Sequence, residues 1–283
     1  MGGYITHSEE DRNQILKLLG IQNVEELFNF IPRKVLKTKI ELGENLSEKQ
    51  IKDKLTNIAN LNKPVSEFST FLGGGAYNHY IPSVVGYVTS ISQFYTAYTP
   101  YQAEISQGTL QYIFEFQSLM CRLTGMDISN ASMYDGGSSL AEAILLAKRV
   151  NNKKKVLMPR TVNPQFRQIA ATYIAGTDME IVEIDYKDGI ADIDCLSKNI
   201  DRDTSSVVLQ NPNFFGCFED VYRIKELLDS YPDCLYIICA NPLSLALIKP
   251  PSEYGADIAV GDAQCFGNPL SFGGPYLGYF TAR

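Results

Sequence analysis

Residues 257–278 read Asp257-Ile-Ala-Val-Gly-Asp-Ala-Gln264-Cys-Phe-Gly-Asn-Pro269-Leu-Ser-Phe-Gly273-Gly274-Pro275-Tyr-Leu-Gly278. The apolar run 258–260 suits one buried strand, and the glycines and prolines behind it force a shaped loop before a second apolar run at 276–280. The order is strand, tight loop, strand. No lysine occurs between 257 and 283.

Upstream, apolar runs at 131–134, 156–158, 180–184, 206–209 and 235–239 alternate with helical or polar stretches, among them 140–150 and 222–230. With 258–260 and 276–280 they make seven candidate strands. Alternation at this spacing predicts an α/β fold, a mostly parallel seven-stranded sheet with helices on both faces. Residues 1–70 read differently, as a polar-faced helical arm. Ser8 can cap a first helix that Gly20 stops, and Ser47 with Gln50 forms a capping box for a second whose Ile51, Leu55 and Ile58 share a face. The expected division is therefore an arm over 1–70 and a large domain over 71–283.

The 283 residues carry 25 Lys plus Arg against 32 Asp plus Glu, a net charge of -7. Without a basic stripe, nucleic acid is not an expected partner. No apolar stretch reaches membrane-spanning length, and residues 1–12 lack a secretory pattern, so a cytoplasmic location is expected. Six scattered cysteines without a Cys-x-x-Cys pair, and only His7 and His79 as imidazoles, give no framework for a metal site.

Three further stretches carry candidate chemistry. Residues 71–82, Phe71-Leu-Gly-Gly-Gly-Ala-Tyr-Asn-His79-Tyr-Ile-Pro82, place a triple glycine before aromatics; glycines allow close backbone approach to a ligand and also serve as plain loops. His79 between two tyrosines reads either as a packed hydrogen-bonding residue or as a base. Residues 95–107 form a polar, tyrosine-rich loop in which Tyr98, Tyr101 and Gln102 could sit at an interface or line a channel. Asp135-Gly136-Gly137-Ser138-Ser139 opens a helix, where free N–H groups and the helix dipole can receive an anion. Gly136, Gly137, Ser138 and Ser139 are thus anion-site candidates, with simple N-capping by the serines as the other reading.

As a set, these motifs resemble the glycine dehydrogenase (decarboxylating) family, the P-protein of the glycine cleavage system. These are pyridoxal-phosphate (PLP) enzymes of the aspartate-aminotransferase type. The family's cofactor-carrying loop runs His-Lys-Thr-Phe, two residues, Pro, three residues, Gly-Gly-Pro. Here Ala263, Gln264, Cys265, Phe266, Pro269, Gly273, Gly274 and Pro275 stand in that frame. Gln264 occupies the place of the Schiff-base lysine, and a neutral amide cannot form an imine.

The resemblance implies a fold type I large domain, with the family's small C-terminal domain expected to be absent from this chain. It also implies oxidoreductase chemistry in which glycine is decarboxylated and its aminomethyl group passes to the lipoyl arm of H-protein. In family members split into two chains, the chain lacking the lysine joins a homologous PLP-bearing subunit in a hetero-oligomer. On that reading this chain supplies no catalytic residue, binds no cofactor covalently and is inactive alone, while PLP resides in the partner subunit. The resemblance places the aspartate that partners the pyridine nitrogen at the end of the run 235–239, where Ile238-Cys239-Ala240-Asn241 lacks it. The alternatives are a catalytically inactive assembly protein or truncated fragment that only binds the partner subunit, and a PLP enzyme using another lysine.

Overall fold

The computed structural model describes residues 7–36, 43, 45–64, 67–69, 71, 73–95 and 99–283; Tyr98 lies outside them. The chain divides into two compact units, Met1–Ser69 and Thr70–Arg283. In the first, α1 (Glu9–Leu19) starts at a capping box: the Ser8 hydroxyl accepts the Asp11 N–H, and the Asp11 carboxylate accepts the Ser8 N–H. Gly20, with φ 68°, stops it. Ser47 and Gln50 repeat the box ahead of α2 (Glu48–Ala59). Neither helix buries a residue, so their ends are set by local signals rather than by a core.

The second unit begins with α3 (Ser83–Thr89), α4 (Ser92–Tyr95) and α5 (Gln107–Thr124), followed by β1 (Ile128–Ser129), α6 (Gly136–Asn151) and β2 (Lys155–Pro159). Then come α7 (Pro164–Ile174), β3 (Glu180–Ile184), a small antiparallel pair of β4 (Tyr186–Lys187) and β5 (Ile190–Ala191), α8 (Ile193–Asn199) and β6 (Thr204–Gln210). The chain closes with α9 (Val221–Leu228), β7 (Leu235–Cys239), β8 (Ile258–Asp262) and β9 (Gly278–Ala282).

Seven strands make one sheet in the order β1-β9-β8-β7-β6-β2-β3. Its core from β3 to β8 is parallel, and β9 and β1 add antiparallel at one side. Parallel neighbours need crossovers, which the helices supply while covering both faces. Side chains alternate accordingly: in β6, Val207 and Leu209 join Leu196, Ile224 and Ile238 in one core, while Val208 joins Leu140, Ile144 and Val260 in the other. Strands apolar on both sides are what the sequence runs encode.

Two boundaries differ from expectation. The strand expected at 131–134 pairs earlier, Ile128 with Ala282 and Ser129 with Thr281, and Met133 makes only an isolated bridge to Gly278. Regular pairing would bring residue 132 opposite Gly278, so one extra residue bulges between the two contacts. The last strand begins at Gly278 rather than Tyr276. Among the described residues no helix is long and apolar enough to cross a membrane.

Leu209 is fully buried in β6, whereas Leu18 in α1 is 86% exposed. Leu209→Ala is expected to cost about 2–5 kcal/mol, against less than about 0.5 kcal/mol for Leu18→Ala. Urea midpoints followed by circular dichroism measure both, and equal midpoints would contradict the placement of the core.

Candidate functional site

A cavity of about 650 Å³ opens where the parallel strands end, the usual position of a ligand in an open α/β sheet. The floor comes from Gln210 at the end of β6, Cys239 at the end of β7, and Gly261 and Asp262 at the end of β8. Gly73, Gly74, Gly75, Tyr77 and His79 form another wall. Gly261 has a steric reason: a Cβ there would lie 2.1 Å from the Ala240 carbonyl oxygen and 2.8 Å from the Tyr279 ring.

The helix turn next to this floor is built around two carboxylates. Asp135 caps α6: its side chain accepts the Ser138 N–H at 2.7 Å, and the Ser138 hydroxyl accepts the Asp135 N–H at 3.1 Å. The helix therefore starts at Gly136, a turn earlier than the expected residue 140, and its cap is Asp135 rather than Ser138 or Ser139. The hydroxyls of Ser138 and Ser139 both donate to the Asp135 carbonyl. The Gly136 N–H donates to Asp262 Oδ2 at 3.2 Å, and the Gln264 N–H to Asp262 Oδ1 at 2.8 Å. Gly136, Ser138 and Ser139 thus all give their N–H groups to acceptors inside the chain.

Asp262 is a functional candidate that reading the sequence misses. Its signal was a carboxylate at the end of an apolar run, two residues before the lysine frame position. Burial pushes its carboxyl above the ordinary value, the N–H groups of Gln264, Gly136 and Leu277 pull it back, and the neighbouring Asp135 charge pushes it up again. Among the described residues no cation offsets the burial.

The other candidates separate. Gln264 is 6% exposed, and its Nε2 donates to the Asn268 carbonyl at 2.5 Å, so the side chain is tied into its own loop. His79 lines the cavity, edge-on to Tyr77, and its Nε2 is buried with no hydrogen-bond partner among the described residues. Tyr101 is 89% exposed; neither it nor Gln102 lines the cavity. At the end of β7 only Cys239 faces the cavity, with Ala240 and Asn241 beyond it, while Ile238 points into the core beside Leu209 and Ala259. Ile238 is thus excluded as a cofactor contact. Burial pushes the Cys239 thiol up to about 12, so it stays neutral. Among the described residues no group of three or more His, Cys, Asp or Glu could hold a metal ion.

Residues 2–283 match the family model described as "Glycine cleavage system P-protein". The chain belongs to the P-protein family. It is 48% identical over 281 residues to a protein of Carboxydothermus hydrogenoformans named "Probable glycine dehydrogenase (decarboxylating) subunit 1", covering 99% of this chain and 63% of that protein. A Bacillus thuringiensis protein of the same name is 47% identical, over 98% of this chain and 62% of its own length. A crystal structure of glycine decarboxylase (P-protein) of the glycine cleavage system, in inhibitor-bound form, superposes with a TM-score of 0.86 at 38% identity, covering 99% of this chain and 63% of that one. The chain thus spans somewhat under two thirds of the relatives it matches, and it has the fold of the P-protein's PLP-type large domain.

Within that P-protein frame the residues present do not fit PLP. An aldehyde needs an amine, and position 264 offers an amide that is already hydrogen-bonded. A phosphate needs unclaimed N–H groups in a positive field; at the α6 turn Gly136, Ser138 and Ser139 give theirs to acceptors in the chain, which leaves Gly137 alone, beside the carboxylates of Asp135 and Asp262. A pyridinium nitrogen needs an anionic acceptor, and the end of β7, where the resemblance places it, offers a neutral thiol at Cys239; the floor's carboxylate, Asp262, stands at the end of β8 instead.

Because the raised Asp262 carboxyl holds its proton more tightly in the folded chain, the stability it contributes is present at low pH. It is lost as pH rises from the ordinary value of 3.8 through the raised one. Asp262→Asn removes this dependence. Urea unfolding at stepped acid pH should show the stability difference moving against the native chain as pH rises across that window. A flat difference would mean the carboxylate is not desolvated.

Proposed function

We propose that this chain is the half of a two-chain glycine decarboxylase P-protein that does not carry the cofactor. It pairs with a homologous subunit that holds PLP on a lysine, and the pair decarboxylates glycine and hands the aminomethyl group to the lipoyl arm of H-protein, in the cytoplasm. The observation that carries this reading is Gln264, in the lysine's frame, buried and tied to the Asn268 carbonyl. The close relatives named as subunit 1 of a glycine dehydrogenase support it. The division of labour follows from chemistry: a chain without an amine at 264 and with a negative helix turn contributes fold and surface. In this reading the arm over 1–70 and the loop holding Tyr98, Tyr101 and Gln102 serve assembly, and His79 lies toward the partner's substrate path.

Glycine-dependent exchange of labelled bicarbonate, assayed with H-protein, tests the reading. The chain alone is expected to be inactive, and activity is expected when it is mixed with a lysine-bearing P-protein subunit that is inactive alone. A partner whose activity is unaffected by this chain would leave it an assembly protein at most.

Gln264→Lys by itself is expected to remain inactive without the partner, because the negative turn and the neutral Cys239 are unchanged. Incubation with PLP and borohydride reduction should give no stoichiometric pyridoxyl-lysine peptide from the native chain. Turnover by the single variant would show that Gln264 is the only lesion.

A further inference from the structure

The cavity has a polarity opposite to that of a phosphate site. Among the described residues its lining includes no lysine or arginine and one carboxylate, Asp262, half-buried at the floor. The Gly136 N–H reaches one oxygen of that carboxylate at 3.2 Å and the Gln264 N–H the other at 2.8 Å, the Leu277 N–H also acts on it, and among the described residues no side-chain cation stands against it. Across the cavity wall, His79 Nε2 is buried without a hydrogen-bond partner among the described residues. Aromatic rings complete the surface, among them Tyr77, Phe166 and Phe214.

The geometry points to a binding site for a primary alkylammonium, its charged head on Asp262 and its carbon stem along the aromatic wall. A compact cation satisfies a buried carboxylate that lacks a counter-charge, and ring faces attract cations and cover methylenes. A divalent metal is not served, since hard cations need several oxygen ligands and one carboxylate supplies too few. An inorganic or organic phosphate would meet Asp262 where it needs a donor. The ammonium can belong to a free amine or to a lysine side chain of another polypeptide; the chemistry is shared. This site stands whether or not the chain supports glycine decarboxylation.

Calorimetric titration of the full chain with butylammonium, with Nα-acetyl-lysine methylamide and with inorganic phosphate tests the inference. Both amines are expected to bind with one-to-one stoichiometry, and phosphate is not. In Asp262→Asn their affinity should drop about tenfold or more. Tighter binding of the lysine derivative indicates a polypeptide source and equal binding a free amine, and both uphold the site. Phosphate binding as tight as the amines, no amine binding, or undiminished amine binding by a folded Asp262→Asn overturns it. Should that variant not fold, Leu247→Trp decides, because Leu247 is 93% exposed at the cavity rim and the chain has no other tryptophan. Its emission should change as butylammonium saturates, and constant emission despite a calorimetric signal would place binding elsewhere and overturn the site.

Discussion

The Asp262 carboxylate joins three parts of the chain that lie far apart in sequence. It ends β8, accepts the first N–H of α6 across 126 residues, and accepts the N–H that opens the Gln264 turn. Helix, central strand and loop can meet there only because glycines remove the side chains between them. A Cβ at Gly136 would fall 2.5 Å from the Phe166 ring, and one at Gly278 would fall 2.3 Å from the Asp135 carbonyl. The packing of α6 over β8 and β9 therefore depends on a glycine at each approach and on a carboxylate that answers the helix end.

Two opposing effects act on that carboxylate, and their balance decides the character of the cavity. Donated hydrogen bonds and the positive end of α6 favour the anion, by about 0.3–2 kcal/mol for the dipole alone. Burial and the nearby Asp135 disfavour it, and the net shift is upward, with desolvation the largest cause. Desolvation wins. What remains is an undercompensated negative group at the strand ends, in a place where a fold of this type can hold a negative ligand. The same helix end cannot serve an internal and an external anion at once.

Much of the architecture was legible in the sequence because its signals are local or periodic. Apolar runs between helical stretches announced the parallel sheet, and Ser8, Gly20, Ser47 and Gln50 each specify a helix end by a hydrogen bond within a few residues. Gln264 stood out in the sequence by its resemblance frame, while its burial and its bond to the Asn268 carbonyl belong to the fold. The bulge before Met133 was not, because it depends on how Gly278 seats against Asp135, a contact between residues far apart. Asp262 escaped notice for a similar reason: only the fold brings Gly136 to it. The two faces of β7 were also hidden in a continuous apolar run, which does not tell Ile238, directed to the core, from Cys239, directed to the cavity.

The steric and chemical roles in this site fall on different residues, so the fold does not depend on which side chain occupies position 264. Gly136, Gly261 and Gly278 have no room for a Cβ, so any change there disturbs the sheet itself. Positions 239, 262 and 264 sit at strand ends and in a turn, where the backbone path tolerates a thiol, a carboxylate or an amide as well as the groups that would hold PLP. A glycine-and-proline framework thus identifies the fold, while the side chains on the cavity floor identify the chemistry. Here residues 2–283 match the P-protein family, and the floor carries a thiol at 239, a carboxylate at 262 and an amide at 264. Of these three groups only the carboxylate can carry charge while burial keeps the thiol neutral, so the sign of the floor is decided by the protonation of Asp262 alone.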